Sequence, residues 1–117
     1  MITKEKLSFL RGQEVEMVCF AIYSIYLHLS NNVIITIESP LRHYCAGESG
    51  EGRIDDFPLS ESKLMRLLSC KVTEFQIENN VSLVLFFSNG DKVIIIPRKG
   101  YESYHIKHDG DVMHLMG

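Results

Sequence analysis

Every odd position from Val15 to Leu29 is apolar (Val15, Met17, Cys19, Ala21, Tyr23, Ile25, Leu27, Leu29), while Glu14, Glu16, Ser24 and His28 fall on the even positions. Side chains alternate between the two faces of a strand, so a period of two means β structure with one face turned to a core. The run is longer than ordinary strands of about 5–6 residues, which predicts a break near Ile22 to Ser24 and hence two strands. Asn31-Asn32 follows. Asn tolerates the positive φ that tight hairpin turns require, so Val33 to Ile37 is predicted to return beside the preceding strand until Pro40 ends it.

The same arrangement recurs later in the chain. Val72 to Ile77, a turn at Asn79-Asn80, the alternating Val81, Leu83, Leu85 and Phe87, and a turn at Asn89-Gly90 lead into Asp91 to Ile96. Ser30-Asn31-Asn32 before Val-Ile-Ile thus parallels Ser88-Asn89-Gly90 before its own Val-Ile-Ile, which predicts two repeated β-meander units over residues 12–40 and 70–97. Between them Leu64, Leu67 and Leu68 recur at helical spacing behind Ser60 as N-cap and Glu61 in the first turn, which predicts one principal helix over residues 60–69. Tyr101 to Lys107 and Val112 to Met116 are expected to add strands. The expected class is α+β, mostly antiparallel β, built as a single domain over residues 1–117.

Composition narrows the chemistry. A chain of 117 residues with 45% hydrophobic and 23% charged residues has the balance of one globular domain. A net charge of -3 offers no general attraction to nucleic acid or anionic lipid. Cys19, Cys45 and Cys70 include no Cys-x-x-Cys pair and read as reduced thiols. Neither a leader nor an apolar span is evident, and the protein is expected in the cytoplasm without membrane contact.

No spacing specifies catalysis, a cofactor or a metal. Gly47 to Gly52 lacks the Gly-Lys-Ser/Thr ending of a phosphate loop and carries Glu48 and Glu51 where phosphate would be repelled. Cys45 with His43, and Asp55 with Asp56, are pairs that any loop of this composition can supply. His105 and His108 have opposite parity on a strand, so a metal shared among His105, His108 and His114 would need a bend. The chain is therefore expected not to be an enzyme. A nucleic-acid-binding or other protein-interaction β module is the alternative, the former with aromatics but little basic charge to support it.

Gly12-Gln13-x-Val15, Asn89-Gly90 and Tyr101-Glu102-x-Tyr104-x-Ile106 appear in an order that resembles small β-rich bacterial proteins encoded beside polymorphic toxins. Over Gly12 to Ile106 the chain is similar to immunity proteins of contact-dependent growth inhibition systems, except that Tyr104 stands where a larger aromatic is expected. The resemblance implies one-to-one binding that blocks a cognate toxin domain, a nuclease being the expected kind. The charge pattern fits: residues 41–58 read as one long loop, and Glu48, Glu51, Asp55 and Asp56, with Glu61 beside them, are the candidate contacts to a basic toxin cleft.

Overall fold

The computed structural model describes residues 5–48, 52–57, 62–79, 82–97, 102–108 and 110–116, with the backbone alone for residues 102, 103 and 114–116. Ten strands are seen there: β1 (Val15–Phe20), β2 (Ile25–Leu29), β3 (Val33–Ile37), β4 (Leu41–Tyr44), β5 (Arg53–Asp55), β6 (Val72–Glu78), β7 (Ser82–Phe87), β8 (Lys92–Ile95), β9 (Glu102–His108) and β10 (Asp111–Met116). They form two five-stranded antiparallel sheets, in the order β1-β2-β3-β9-β10 and β5-β4-β8-β7-β6. The inner faces share one core, in which Leu27, Ile35, Tyr104 and Ile106 of the first sheet join Leu41, Phe75, Leu85 and Val93 of the second. Among the described residues no helix is long and apolar enough to cross a membrane.

The α+β class is therefore corrected to all-β. Where one principal helix was expected over residues 60–69, the structure has a single 3-10 turn, Leu64–Leu67. Leu64 and Leu67 are fully buried, and a spacing of three brings both to one side of a 3-10 turn as readily as it would in a helix. Leu68, the residue that suggested continuation, is extended and exposed, and Ser69 follows with φ +67°. Ser60 and Glu61 lie outside the described residues, as do Asn80, Val81 and Tyr101. The supposed loop at residues 41–58 is corrected too, for it contains β4 and β5. The break in the long alternating run falls at Ala21 to Ser24, close to the expected place.

The chain builds the same five-strand unit twice and exchanges its ends. β1-β2-β3 and β6-β7-β8 are equivalent meanders, but β4 pairs with β8 and β9 pairs with β3, so each unit's last two strands complete the other unit's sheet. Both units open on a 3-10 turn with two buried leucines, Leu7 and Leu10 or Leu64 and Leu67. Both carry a bulge at the start of the first strand, between Val15 and Met17 or Val72 and Glu74. Reciprocal backbone bonds tie the units together: Gly12 N–H to Val72 C=O at 2.7 Å is matched by Ser69 N–H to Val15 C=O at 2.9 Å. Ser30 and Ser88 play one role, their hydroxyls accepting from Glu14 N–H and Lys71 N–H.

Candidate functional site

The repeat makes departures visible. Val33 opens the third strand of the first unit and is fully buried; Asp91 holds the equivalent inward position in the second and is 1% exposed. Ile106 pairs with Ile35 two residues after Val33, and His43 pairs with Val93 two residues after Asp91. The other correspondences follow from chain order: Phe9 with Arg66 between the buried leucines, and His108 with Cys45 two residues beyond Ile106 or His43. In the first unit the ring of Phe9 stacks on His108 at 3.9 Å. In the second unit the same places form a polar cluster.

Asp91 is its hub. One carboxylate oxygen accepts from Ala46 N–H at 2.7 Å and Arg66 Nη at 3.0 Å, the other from His43 Nε2 at 2.8 Å and Arg66 Nε at 3.1 Å. Burial works to raise the Asp91 pKa, but these hydrogen bonds outweigh it and hold the carboxyl below its usual value. An ionised carboxylate only accepts, so Nε2 of His43 carries a proton toward Asp91. The turn before Asp91 is built for the approach: Gly90 has φ +91°, and a Cβ there would stand 2.9 Å from the Cβ of Ala46.

Cys45 completes a set that invites two chemical readings. Its sulfur lies 3.9 Å from Nδ1 and 3.7 Å from Nε2 of His43. Near-equal distances to both ring nitrogens place the sulfur off the line of the Nδ1 lone pair, so the imidazole is not aligned to take the thiol proton. Burial and the Asp91 charge also push the thiol pKa up, opposite to what a thiolate nucleophile requires. The ligand atoms of His43, Cys45 and Asp91 all lie within 4.8 Å of one another, close enough for a metal ion. Yet each Asp91 oxygen already accepts two hydrogen bonds, so an ion would have to displace the Arg66 guanidinium. The arrangement is a closed clasp joining β4, β8 and the Leu64–Leu67 turn. Sequence reasoning considered His43 with Cys45 but missed Asp91; the signal was an aspartate at the place where the first unit has Val33.

The acidic residues expected to form an open surface are not gathered in one. Glu48 is exposed but bonded to Lys63 Nζ at 2.8 Å, a contact that keeps its carboxyl below the usual value. Asp55 is 5% exposed, one oxygen accepting from Arg53 Nε at 2.9 Å and the other without a hydrogen-bond partner among the described residues. Asp56 is exposed and accepts from Phe57 N–H. Glu51 and Glu61 lie outside the described residues.

The outer face of the first sheet is open instead. Register places Cys19, Tyr26, Thr36 and His105 in one cross-strand row and Met17, His28, Ile34, Lys107 and Val112 in the next. All of these residues but Met17 line a concavity of about 450 Å³ whose walls are mostly carbon. Met17, in the second of these rows, is exposed, and so are Ile22 and Tyr23 in the β1–β2 turn, Tyr23 at 72%. Compared with known proteins, the chain matches no family model, no curated protein and no solved structure.

Proposed function

We propose that the chain is a protein-binding domain and that the outer face of its first sheet is the binding surface. The observation that carries this is the concave face itself: an apolar hollow of about 450 Å³ on the outer side of the sheet, with exposed Met17 in the same cross-strand row as His28 and Ile34. Contiguous exposed apolar surface is uncommon on monomers and marks interaction sites, whereas the buried polar cluster has its Asp91 oxygens fully engaged within the fold. The role that fits the sequence resemblance is that of a cytoplasmic immunity protein, which neutralises a toxin domain by covering its active site. Steric exclusion needs no catalytic group and no cofactor. The acidic stretch is the weaker candidate surface, since Asp55 is buried and Glu48 is already neutralised by Lys63.

A test begins with the reading frame upstream of the gene. The expected result is a toxin-like neighbour whose C-terminal domain forms a one-to-one complex with this chain in light scattering, with slowed amide exchange on β2, β3 and β9. A neighbour of unrelated kind would overturn the immunity role. A complex in which these three strands exchange as fast as in the free protein would overturn the surface.

A further inference from the structure

The proposed face is not only apolar: among the described residues that line the hollow, Lys107 is the one that carries a formal charge. His28, Ile34 and Lys107 are cross-strand neighbours on β2, β3 and β9. Among the described residues neither the ring of His28 nor the ammonium of Lys107 has a hydrogen bond or an ion pair. His105 lies in the adjacent row, with Glu38 at 3.6 Å beyond the hollow. Among the described residues no carboxylate lines the hollow, although the chain as a whole carries -3. Directly opposed residues on neighbouring strands stand roughly 5 Å apart, so His28 and Lys107 bracket Ile34 at a separation of about 10 Å.

We infer that the partner of this face is an acidic protein segment in which carboxylates flank an apolar side chain, the apolar group resting on Ile34 and the carboxylates meeting Lys107 and His28. This rests on the outer face being the docking surface and adds the chemistry of what docks there. Charge complementarity carries it: a basic partner would meet Lys107 unopposed at the centre of the contact, and like-charge juxtaposition is costly once water is excluded. Lys107 is exposed and makes no ion pair among the described residues, so its charge is available to an incoming carboxylate.

The test uses three synthetic heptapeptides, Ser-Glu-Ser-Leu-Ser-Glu-Ser and the versions with Lys or Gln in place of both Glu. Residues two apart point the same way in an extended chain, so both charges and the leucine share one face. Titration into the isotope-labelled full chain at low salt, followed by NMR, is expected to shift His28, Ile34, Thr36, His105 and Lys107 with the Glu peptide. The Lys peptide should bind at least about tenfold more weakly, a difference of about 1.4 kcal/mol. Lys107→Glu should reverse that order, and Lys107→Gln should bring the two peptides together. Equal binding of the Glu and Gln peptides at these residues would sink the acidic partner while leaving the docking surface standing. No shifts from any peptide at millimolar concentration would remove both. Shifts of the same residues on raising protein concentration alone, or on adding a single-stranded oligonucleotide that outcompetes the Glu peptide, would assign the face to a second copy or to nucleic acid and overturn the inference.

Discussion

Two regions of this molecule hold its unusual polar side chains, and they use them in opposite ways. Around Asp91 both carboxylate oxygens are saturated from within by Ala46, His43 and Arg66. On the outer face of the first sheet, Lys107 and His28 stand among carbon with no ion pair among the described residues. The first region has the residue types of chemistry, a cysteine, a histidine and an aspartate, yet its hydrogen bonds are closed. The second has the plainer composition, and it is the one open to a partner. Residue type alone would have pointed to the first region; the state of each donor and acceptor separates the two.

The largest expected effect breaks the closed region. Asp91→Val leaves His43 and Arg66 without their acceptor and should cost about 3–5 kcal/mol in urea denaturation, the usual loss when one partner of a buried pair is removed. A loss below about 1 kcal/mol would mean that the clasp does not support the fold. Adding His43→Ile gives this place the apolar residue types that the first unit has there, Val33 and Ile106. The double variant should return to within about 1 kcal/mol of the parent or exceed it, because well-packed apolar replacements of buried ionic groups are often neutral or stabilising. Arg66, with more than a third of its side chain exposed, can turn to water.

Acid sharpens the same contrast. The folded-state pKa of Asp91 lies below its ordinary value of 3.8, so its contribution is fully present above that value and is lost as pH falls through the depressed folded value. The parent should therefore lose more stability than the double variant between pH 4 and pH 2, read as unfolding midpoints. Parallel curves would show that Asp91 is not part of the acid response.

A smaller effect tests the equivalence of the two units. Ser69, at φ +67°, sits where the first unit has Gly12 at φ +84°. Ser69→Gly should relieve left-handed strain and stabilise by up to about 1 kcal/mol, whereas destabilisation would show that the two positions are not equivalent. The smallest stability change belongs to the open face: Lys107→Glu should move the unfolding free energy by no more than about 0.5 kcal/mol.

Much of the fold was legible because it is written in local signals. Alternation placed β1 and β2, and Asn31-Asn32 and Asn89-Gly90 marked turns whose positive φ the structure retains at Asn31, Asn32 and Gly90. The helix was misread because Leu64 and Leu67 satisfy a 3-10 turn and an α-helix equally; nothing in their spacing says that the chain turns extended at Leu68. β4 and β5 were missed for a different reason. Leu41 and His43 point inward, but a histidine at a core position hides the period of two, and β5 has only three residues. The exchange of strands between units is a long-range pairing that no local pattern carries. The proposed binding face was hidden likewise, since its rows join a meander over β1 to β3 with the β9–β10 hairpin far along the chain.

Whether binding resides on the open sheet face or in the acidic stretch is tested most directly by measuring, by calorimetry, the affinity of two variants for the toxin domain proposed as partner. Ile34→Asp changes the centre of the face, and Glu48→Ala with Asp56→Ala changes exposed carboxylates of the acidic stretch; circular dichroism melting establishes that both are folded. The account predicts that Ile34→Asp weakens binding by at least about a hundredfold, some 2.7 kcal/mol, while the double alanine variant stays within about threefold of the parent. Unchanged affinity for Ile34→Asp together with a hundredfold loss in the double alanine variant would contradict it.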